Sequence, residues 1–263
     1  MKADLISIIM PAYQAESTLA ESLHCIQAQS WSNWELLLLV DASPDNSWQV
    51  AQNLAATDAR IRILKGHKNR GVVRARNICL RLAKGDWVAF CDADDFWKAN
   101  KLEQQMQLLQ RSGANFCYTS ATYYRPDLQW ESAPARMPHE LHLKRLLQGN
   151  PIGMSTVLLK RELLKGVYFD ALPAGIVHED YAFWVKLFKS QNIQTVYWPE
   201  ASTRVTIHPN TRSGNKGRAF RSQFYVLRAY GGLSLAQSCL HMGSYVLFAL
   251  YKRGLRAWIR QMQ

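Results

Sequence analysis

Apolar positions along the chain fall into two spacings that take turns. Leu5 to Met10 and Trp34 to Val40 are nearly continuous apolar runs, the pattern of strands buried on both faces. Between them Leu19, Leu23 and Ile26 recur at helical spacing behind Ser17, a good N-cap. Pro11 stops the first strand, and Pro44, in the loop Asp41 to Asn46, is placed to open the next helix. Ile61 to Leu64 predicts a short strand, Val72 to Ala83 a helix with Gly85 as its stop, and Trp87 to Cys91 a buried strand. A helix over Lys101 to Arg111 and a strand over Phe116 to Thr119 follow. Strands and helices in strict alternation predict an α/β fold with a mostly parallel sheet under covering helices.

After that the rhythm loosens. Pro126, Pro134 and Pro138 space out a stretch that reads as a sheet-edge cover or a substrate wall. Ser155 to Leu159, Ile193 to Trp198 and Ser202 to Ile207 read as strands, and Tyr181 to Lys189 as a helix. No internal repeat or low-complexity tract interrupts the chain.

Composition supports a folded enzyme-sized unit: 263 residues, 48% apolar and 11% aromatic, enough for a sizeable core. The five cysteines form no C-x-x-C, which fits reduced thiols in a cytosolic setting better than a disulfide framework or structural zinc. Met1 to Asp4 runs straight into the first strand, so the expectation is a chain that is not exported. Charge changes the picture most. The net +12 is uneven: after Glu200 there is no acid, while ten Lys or Arg residues follow. Arg228 to Lys252 encloses a charge-free window that is long enough to span a membrane but too polar for it, containing Gly231, Gly232, Ser234, Gln237, Ser238, His241 and Ser244. Followed by Lys252, Arg253, Arg256, Trp258 and Arg260, it reads as a segment lying on an anionic membrane face, or as a helical hairpin closing the core. The expected layout is 1–120 for a nucleotide-binding half, 121–212 for a catalytic half of the same domain, and 213–263 for a basic amphipathic extension.

Chemistry concentrates at Asp92-Ala93-Asp94-Asp95, directly after the buried run. Alternate residues of an extended chain point the same way, so Asp92 and Asp94 can offer hard oxygen donors on one side. That suits Mg²⁺ or Mn²⁺, which hold one or two protein carboxylates and complete their shell with substrate phosphate oxygens. The same residues also read as an acidic strand-to-helix turn, with Asp95 capping the helix of Leu102, Met106 and Leu109. Open α/β sheets bind ligands at the carboxyl ends of their strands, which brings Pro11 to Tyr13 and Asp41 toward the acids. There Tyr13 can stack on a base and Asp41 can accept from an N–H edge such as uracil N3, although each also has an ordinary structural reading.

Taken in order, these segments resemble a known family. Ile8-Ile9-Met10-Pro11-Ala12-Tyr13-Gln14, Leu39-Val40-Asp41-Ala42-Ser43-Pro44-Asp45-Asn46-Ser47, Asn69-Arg70-Gly71 with Ala75-Arg76-Asn77, and Gly85 to Asp95 are similar to the motifs of family 2 glycosyltransferases with the GT-A fold. His178-Glu179-Asp180 resembles the family's Glu-Asp motif, and Arg204 to Ser213 its Arg and His-Pro loop. The resemblance covers residues 5–210. It implies that Pro11, Tyr13 and Asp41 hold the uracil end of a UDP-sugar, that Arg76 or Arg74 approaches the nucleotide, and that Asp92, Ala93 and Asp94 serve ribose and metal, with Asp94 the direct ligand. It further implies that Asp180 is the catalytic base of a single inverting displacement, and that His208 and Arg212 close over the diphosphate, His208 also within reach of the metal. The acceptor it implies is a saccharide, lipid-linked at the cytoplasmic face of a membrane, in surface-polysaccharide synthesis. Two positions depart from the pattern: Val40 stands where many members pair a second acid with Asp41, and Ala99 where Pro is usual.

Other classes fit less well. A nucleotidyltransferase would need a Gly-rich phosphate loop after the first strand, which is absent, and Rossmann dehydrogenases and P-loop enzymes fail similarly, since neither G-x-G-x-x-G nor G-x-x-x-x-G-K-[ST] occurs. The basic tail has the charge of a nucleic-acid binder but no binding module, and the acidic sheet mouth repels phosphates unless a cation intervenes.

Overall fold

The structure is a computed structural model, and it describes residues 4–135, 137–208 and 216–243. The predicted parallel half is there: β1 (Ile6–Ala12), β2 (Trp34–Val40), β3 (Ile61–Lys65) and β4 (Trp87–Phe90) pair in parallel in the order β3-β2-β1-β4. Helices α1 (Leu19–Gln27), α2 (Ser47–Ala55) and α3 (Val72–Leu82) connect them. Strand β8 (Leu158–Lys160) adds antiparallel to β4, then come β6 (Phe116–Arg125) and β9 (Thr195–Thr206), parallel to each other, and the two-residue β5 (Phe96–Trp97) antiparallel on β9. The short β7 (Trp130–Glu131) pairs with β6. All nine strands among the described residues join one sheet.

Period-2 alternation makes this sheet the middle of two cores. Ile6, Ile8 and Met10 of β1 and Leu36, Leu38 and Val40 of β2 face one layer, with Leu19, Leu23 and Ile26 of α1 and with Leu102, Met106 and Leu109 of α4 (Lys101–Ser112). Ile9, Leu37 and Leu39 face the other, with Ala75 and Cys79 of α3 and with Tyr181 to Leu187 of α6 (Glu179–Ser190). Strands apolar on both faces are therefore read correctly as interior strands. A short helix, α5 (Leu143–Leu146), and α7 (Lys216–Ala229) complete this second layer through Leu146 and Val226.

Several expectations change. Strand β1 runs through Pro11 to Ala12, and α1 starts at Leu19 behind Thr18 rather than Ser17. Pro44 does not open α2, which starts at Ser47. Gly85 is required for space and is not the residue that ends α3: a Cβ there would sit 2.6 Å from Leu5 O and Ser7 N, where the chain crosses β1. Asp95 caps no helix, because β5 intervenes and α4 is capped at Asn100. The strand expected over Ser155 to Leu159 begins as a 3-10 turn, Met154–Thr156, because Ser155 is drawn inward to bond the acidic motif. The two strands expected at 193–207 are one, β9, with its register on β6 shifted on either side of Ser120.

The basic segment is only partly described. Helix α7 is docked rather than loose, with Val226 and Leu227 fully buried, and residues 235–243 are helical, burying Ser238 and Met242 while Leu235 (61%) and Leu240 (75%) face outward. No described helix is long and apolar enough to cross a membrane. Residues 244–263 lie outside the described residues.

Candidate active site

The carboxyl ends of β1, β2 and β4 open onto a cleft of about 730 Å³. Pro11, Tyr13, Asp41, Arg76, Asp92, Ala93, Asp94 and His208 all line it, so eight of the sequence-predicted positions share one space. Arg74, two residues before Arg76 on α3, is exposed and does not line it. Asp180 is not among the lining residues, whereas its neighbour Glu179 is. Arg212 lies outside the described residues.

The floor is built by the acidic motif, and each of its acids has a different occupation. Asp92 Oδ1 accepts from Arg76 Nη2 at 2.6 Å. Arg76 is only 5% exposed; burial opposes its charge, but Asp92 and, beyond it, Glu179 and Asp180 outweigh that and keep it firmly protonated. Its Nε is buried with no hydrogen-bond partner, a donor left facing no protein acceptor. Asp94 Oδ2 lies 3.1 Å from His208 Nε2, and burial together with the charge of Asp92 pushes the Asp94 carboxyl above the usual carboxylate range. Asp95 is absorbed by the fold. It is 4% exposed and accepts from Ser155 Oγ at 2.5 Å and from Thr206 N at 3.1 Å, while Asp92 N donates to the same Ser155 Oγ at 3.1 Å. Ala93 is turned by its carbonyl, which accepts from Thr18 Oγ1 and Ser22 Oγ.

The wall at the ends of β1 and β2 is equally tied. Asp41 is 7% exposed and its Oδ2 accepts from Arg70 N and Gly71 N, both at 2.8 Å. The loop-holding reading of Asp41 is thus realised at one oxygen, while Oδ1 faces Gly66, where a Cβ would come within 2.9 Å. Tyr13 stays 45% exposed, its ring open to a planar ligand. Residues 14–16 are strapped to 43–47: Gln14 N donates to Ser43 Oγ, Ala15 N to Ser47 Oγ, and Glu16 N to Asp45 Oδ2. Burial works against the Asp45 charge, yet the hydroxyls of Ser43 and Ser47 pull it down to about 2.

Across the motif stands the first turn of α6. Asp180 Oδ2 accepts from Asn150 Nδ2 at 3.1 Å, and burial with the charge of Glu179 pushes its carboxyl up. Asp180, Glu179 and Arg76 feel one another electrostatically, which couples this turn to the floor of the cleft.

For a metal, the available donors are Asp94 and His208, with Asp92 beside them turned to Arg76. Among the described residues no group of three or more His, Cys, Asp or Glu could hold an ion. A hard divalent cation here would draw its remaining ligands from phosphate oxygens and water, the way Mg²⁺ and Mn²⁺ are commonly held. The donor set fits that use.

Reasoning from the sequence quoted Asn69 and Gly71 as motif residues without giving them a place in the site, and missed Val72, the first residue of α3, and Ser17 and Thr18, just before α1, all of which line the cleft. It also missed Gly66 and Ser155. The signal for Gly66 was a glycine just after a strand end; Ser155 gave none.

The description "Glycosyl transferase family 2" belongs to a family whose sequence model matches residues 7–167. An Escherichia coli protein named UDP-Glc:alpha-D-GlcNAc-diphosphoundecaprenol beta-1,3-glucosyltransferase WfgD is 32% identical over 94% of both chains. The putative teichuronic acid biosynthesis glycosyltransferase TuaG of Bacillus subtilis is 28% identical over 95% of this chain and 97% of its own. Among solved structures, S. aureus TarS with UDP-GlcNAc superposes with a TM-score of 0.72 at 19% identity, covering 92% of this chain and 71% of that one.

Proposed function

Since the chain belongs to glycosyl transferase family 2, and is therefore a glycosyltransferase with the GT-A fold, we propose that it moves a hexose or N-acetylhexosamine from a UDP-sugar to a lipid-linked saccharide, with inversion and with the help of Mn²⁺ or Mg²⁺. The acceptor class rests on relatives named for GlcNAc-diphosphoundecaprenol, and surface-polysaccharide synthesis on those and on TuaG. The observation that carries the reading is a single cleft lined by Asp92, Asp94 and His208 at the strand ends and by Glu179, which leads into Asp180, at the start of α6.

In this reading residues 1–120 hold the donor. Tyr13 stacks on the uracil, Pro11 lies beside it, and the free Oδ1 of Asp41 accepts from uracil N3, its other oxygen being taken by Arg70 N and Gly71 N. Arg76 keeps Asp92 oriented, and Asp92 and the Ala93 backbone meet the ribose. Asp94 and His208 would hold the cation, which when bound would supply neutralisation of charge on the departing UDP. Arg212 would add a further positive charge over the diphosphate.

Residues 121–212 hold the acceptor. Asp180 takes the proton of the acceptor hydroxyl, whose oxygen attacks the anomeric carbon from the face opposite the diphosphate. The bond to the diphosphate oxygen breaks with its electron pair leaving on UDP, so no second carboxylic acid is needed. A carboxyl raised by burial and by Glu179 is a better proton acceptor than an ordinary aspartate. Attachment to the cytoplasmic face of the membrane would be peripheral, through the acid-free segment 213–263.

A panel of UDP-sugars assayed for Mn²⁺-dependent UDP release tests the reading. One or a few donors should give turnover. Silence across the panel, with no metal-dependent UDP binding by calorimetry, would overturn the donor and metal assignments.

A further inference from the structure

A second depression lies beside the donor cleft. Ile176, Phe220, Arg221, Phe224, Tyr225 and Arg228 line a space of about 430 Å³. Five of these are on α7 at positions i, i+1, i+4, i+5 and i+8, which share one face of a helix. Ile176 comes from the loop leading to α6. That loop is fixed against α7, because Val177 N donates to the Oγ of the fully buried Ser222 at 3.0 Å.

The lining is an apolar floor with cations at its rim. Phe220 remains 44% exposed, a large ring that the fold does not cover. Arg228 gives one N–H to the carbonyl of Leu233 at 2.6 Å, and among the described residues neither arginine is paired with a carboxylate. A neutral lipid would leave the arginines unused, and a soluble phosphate would leave the aromatic rings unused. An amphiphile with an anionic head engages both.

Position selects which amphiphile. Ile176 of this groove and Glu179 of the donor cleft are three residues apart, so at most about 11 Å of chain separates the two. Asp180 is the next residue. A sugar whose hydroxyl meets Asp180 therefore has its anomeric phosphate within reach of the groove. We propose that this groove holds the diphosphate and the first isoprenoid units of the lipid-linked acceptor, Arg221 and Arg228 on the phosphates and Phe220, Phe224 and Ile176 on the hydrocarbon. This rests on the transferase reading above, and it assigns the subsite that recognises the carrier rather than the sugar.

Calorimetry on the full chain tests it without turnover. Farnesyl diphosphate should bind about tenfold more tightly than either inorganic diphosphate or farnesol, and Arg221→Gln and Phe220→Ser should each weaken it about tenfold. Both positions are exposed, and UDP binding by the variants verifies that they are folded. Binding no tighter than that of the separate fragments, or unchanged in both variants, overturns the proposal. So does binding of phosphatidylglycerol vesicles that depends on Arg221 while farnesyl diphosphate does not bind, since the groove would then be a membrane contact. In turnover, GlcNAc diphosphate esterified with a decyl chain should show a raised KM in both variants while its methyl ester does not. An inert UDP-sugar panel with farnesyl diphosphate binding intact would remove the transferase reading and leave the groove standing.

Discussion

Two acid clusters serve this cleft, and they are held in opposite ways. Asp92, Asp94 and Asp95 follow β4 and are fixed from four directions, by Arg76, His208, Ser155 and Thr206. Glu179 and Asp180 open α6, where the Asp180 carboxylate accepts from Asn150 Nδ2 at 3.1 Å and from the backbone of its own helical turn at Tyr181. The first arrangement suits groups that must keep their place while a polyanion arrives. The second suits a group that must change its protonation state, because few bonds have to break when it does. Pinning and poise are thus divided between a strand end and a helix start.

The sharpest way to break the comparison is at the poised cluster. Asp180→Asn should lower transfer about 10³-fold, within the usual range for loss of a general base, and leave UDP binding close to that of the parent chain; unchanged turnover in a UDP-release assay would remove Asp180 from the chemistry. The pH dependence has a definite sign. The base works deprotonated, so the rate should climb as pH rises through a value above the ordinary aspartate range, and the limb should vanish in Asp180→Asn. At the pinned cluster, Asp94→Asn should lower Mn²⁺-dependent turnover about 10²-fold and weaken Mn²⁺ binding to the UDP complex, read by electron paramagnetic resonance. Gly66→Ala should be milder, about tenfold in UDP affinity by calorimetry, because its Cβ would press on Asp41 Oδ1 and on backbone at 3.0 Å.

The last effect is on stability rather than on activity or binding, at Lys101, which packs on Trp97, a donor to the Ser155 carbonyl. Lys101 is fully buried, bonded to Gln105 Oε1 at 2.7 Å and set 4.1 Å over the Trp97 ring, and burial lowers it to about 7. Between that value and the ordinary lysine range the unfolded chain holds the proton and the folded chain does not. Stability should therefore rise as pH goes from 7 toward 10, with a slope of up to about 1.4 kcal/mol per pH unit, and Lys101→Met should remove that rise in denaturant titrations.

How far the sequence carries depends on how far apart the partners are. β2 was legible to the residue and β3, β4, α3 and α4 nearly so, because each buries its own local pattern of apolar positions. The cleft was legible where residues end strands, hence Pro11, Tyr13, Asp41, Asp92 and Asp94 together. Ser155 was not, since what curls its segment is a pair of hydrogen bonds to residues about sixty positions earlier, and no local pattern encodes them. Arg76 and Arg74 could not be ranked from spacing alone; burial of one against Asp92 separates them. Glu179 was overlooked beside Asp180 because adjacent helical residues diverge by about 100°, and the sequence does not say which of the two faces the cleft.

The strand that finishes the acidic motif is the last of the sheet to leave the ribosome. Thr206 N reaches Asp95 across 111 residues, and β5, directly after the motif, has β9 as its partner. A nascent chain that has emerged only through α4 carries Asp92, Asp94 and Asp95 but has nothing to bond the buried Asp95 carboxyl on the β9 side. Without β9 the motif lacks the Thr206 N–H that fixes Asp95, so its closure depends on a contact of long sequence separation. A fragment ending before Thr195 therefore carries the three acids without the Thr206 contact that closes the motif.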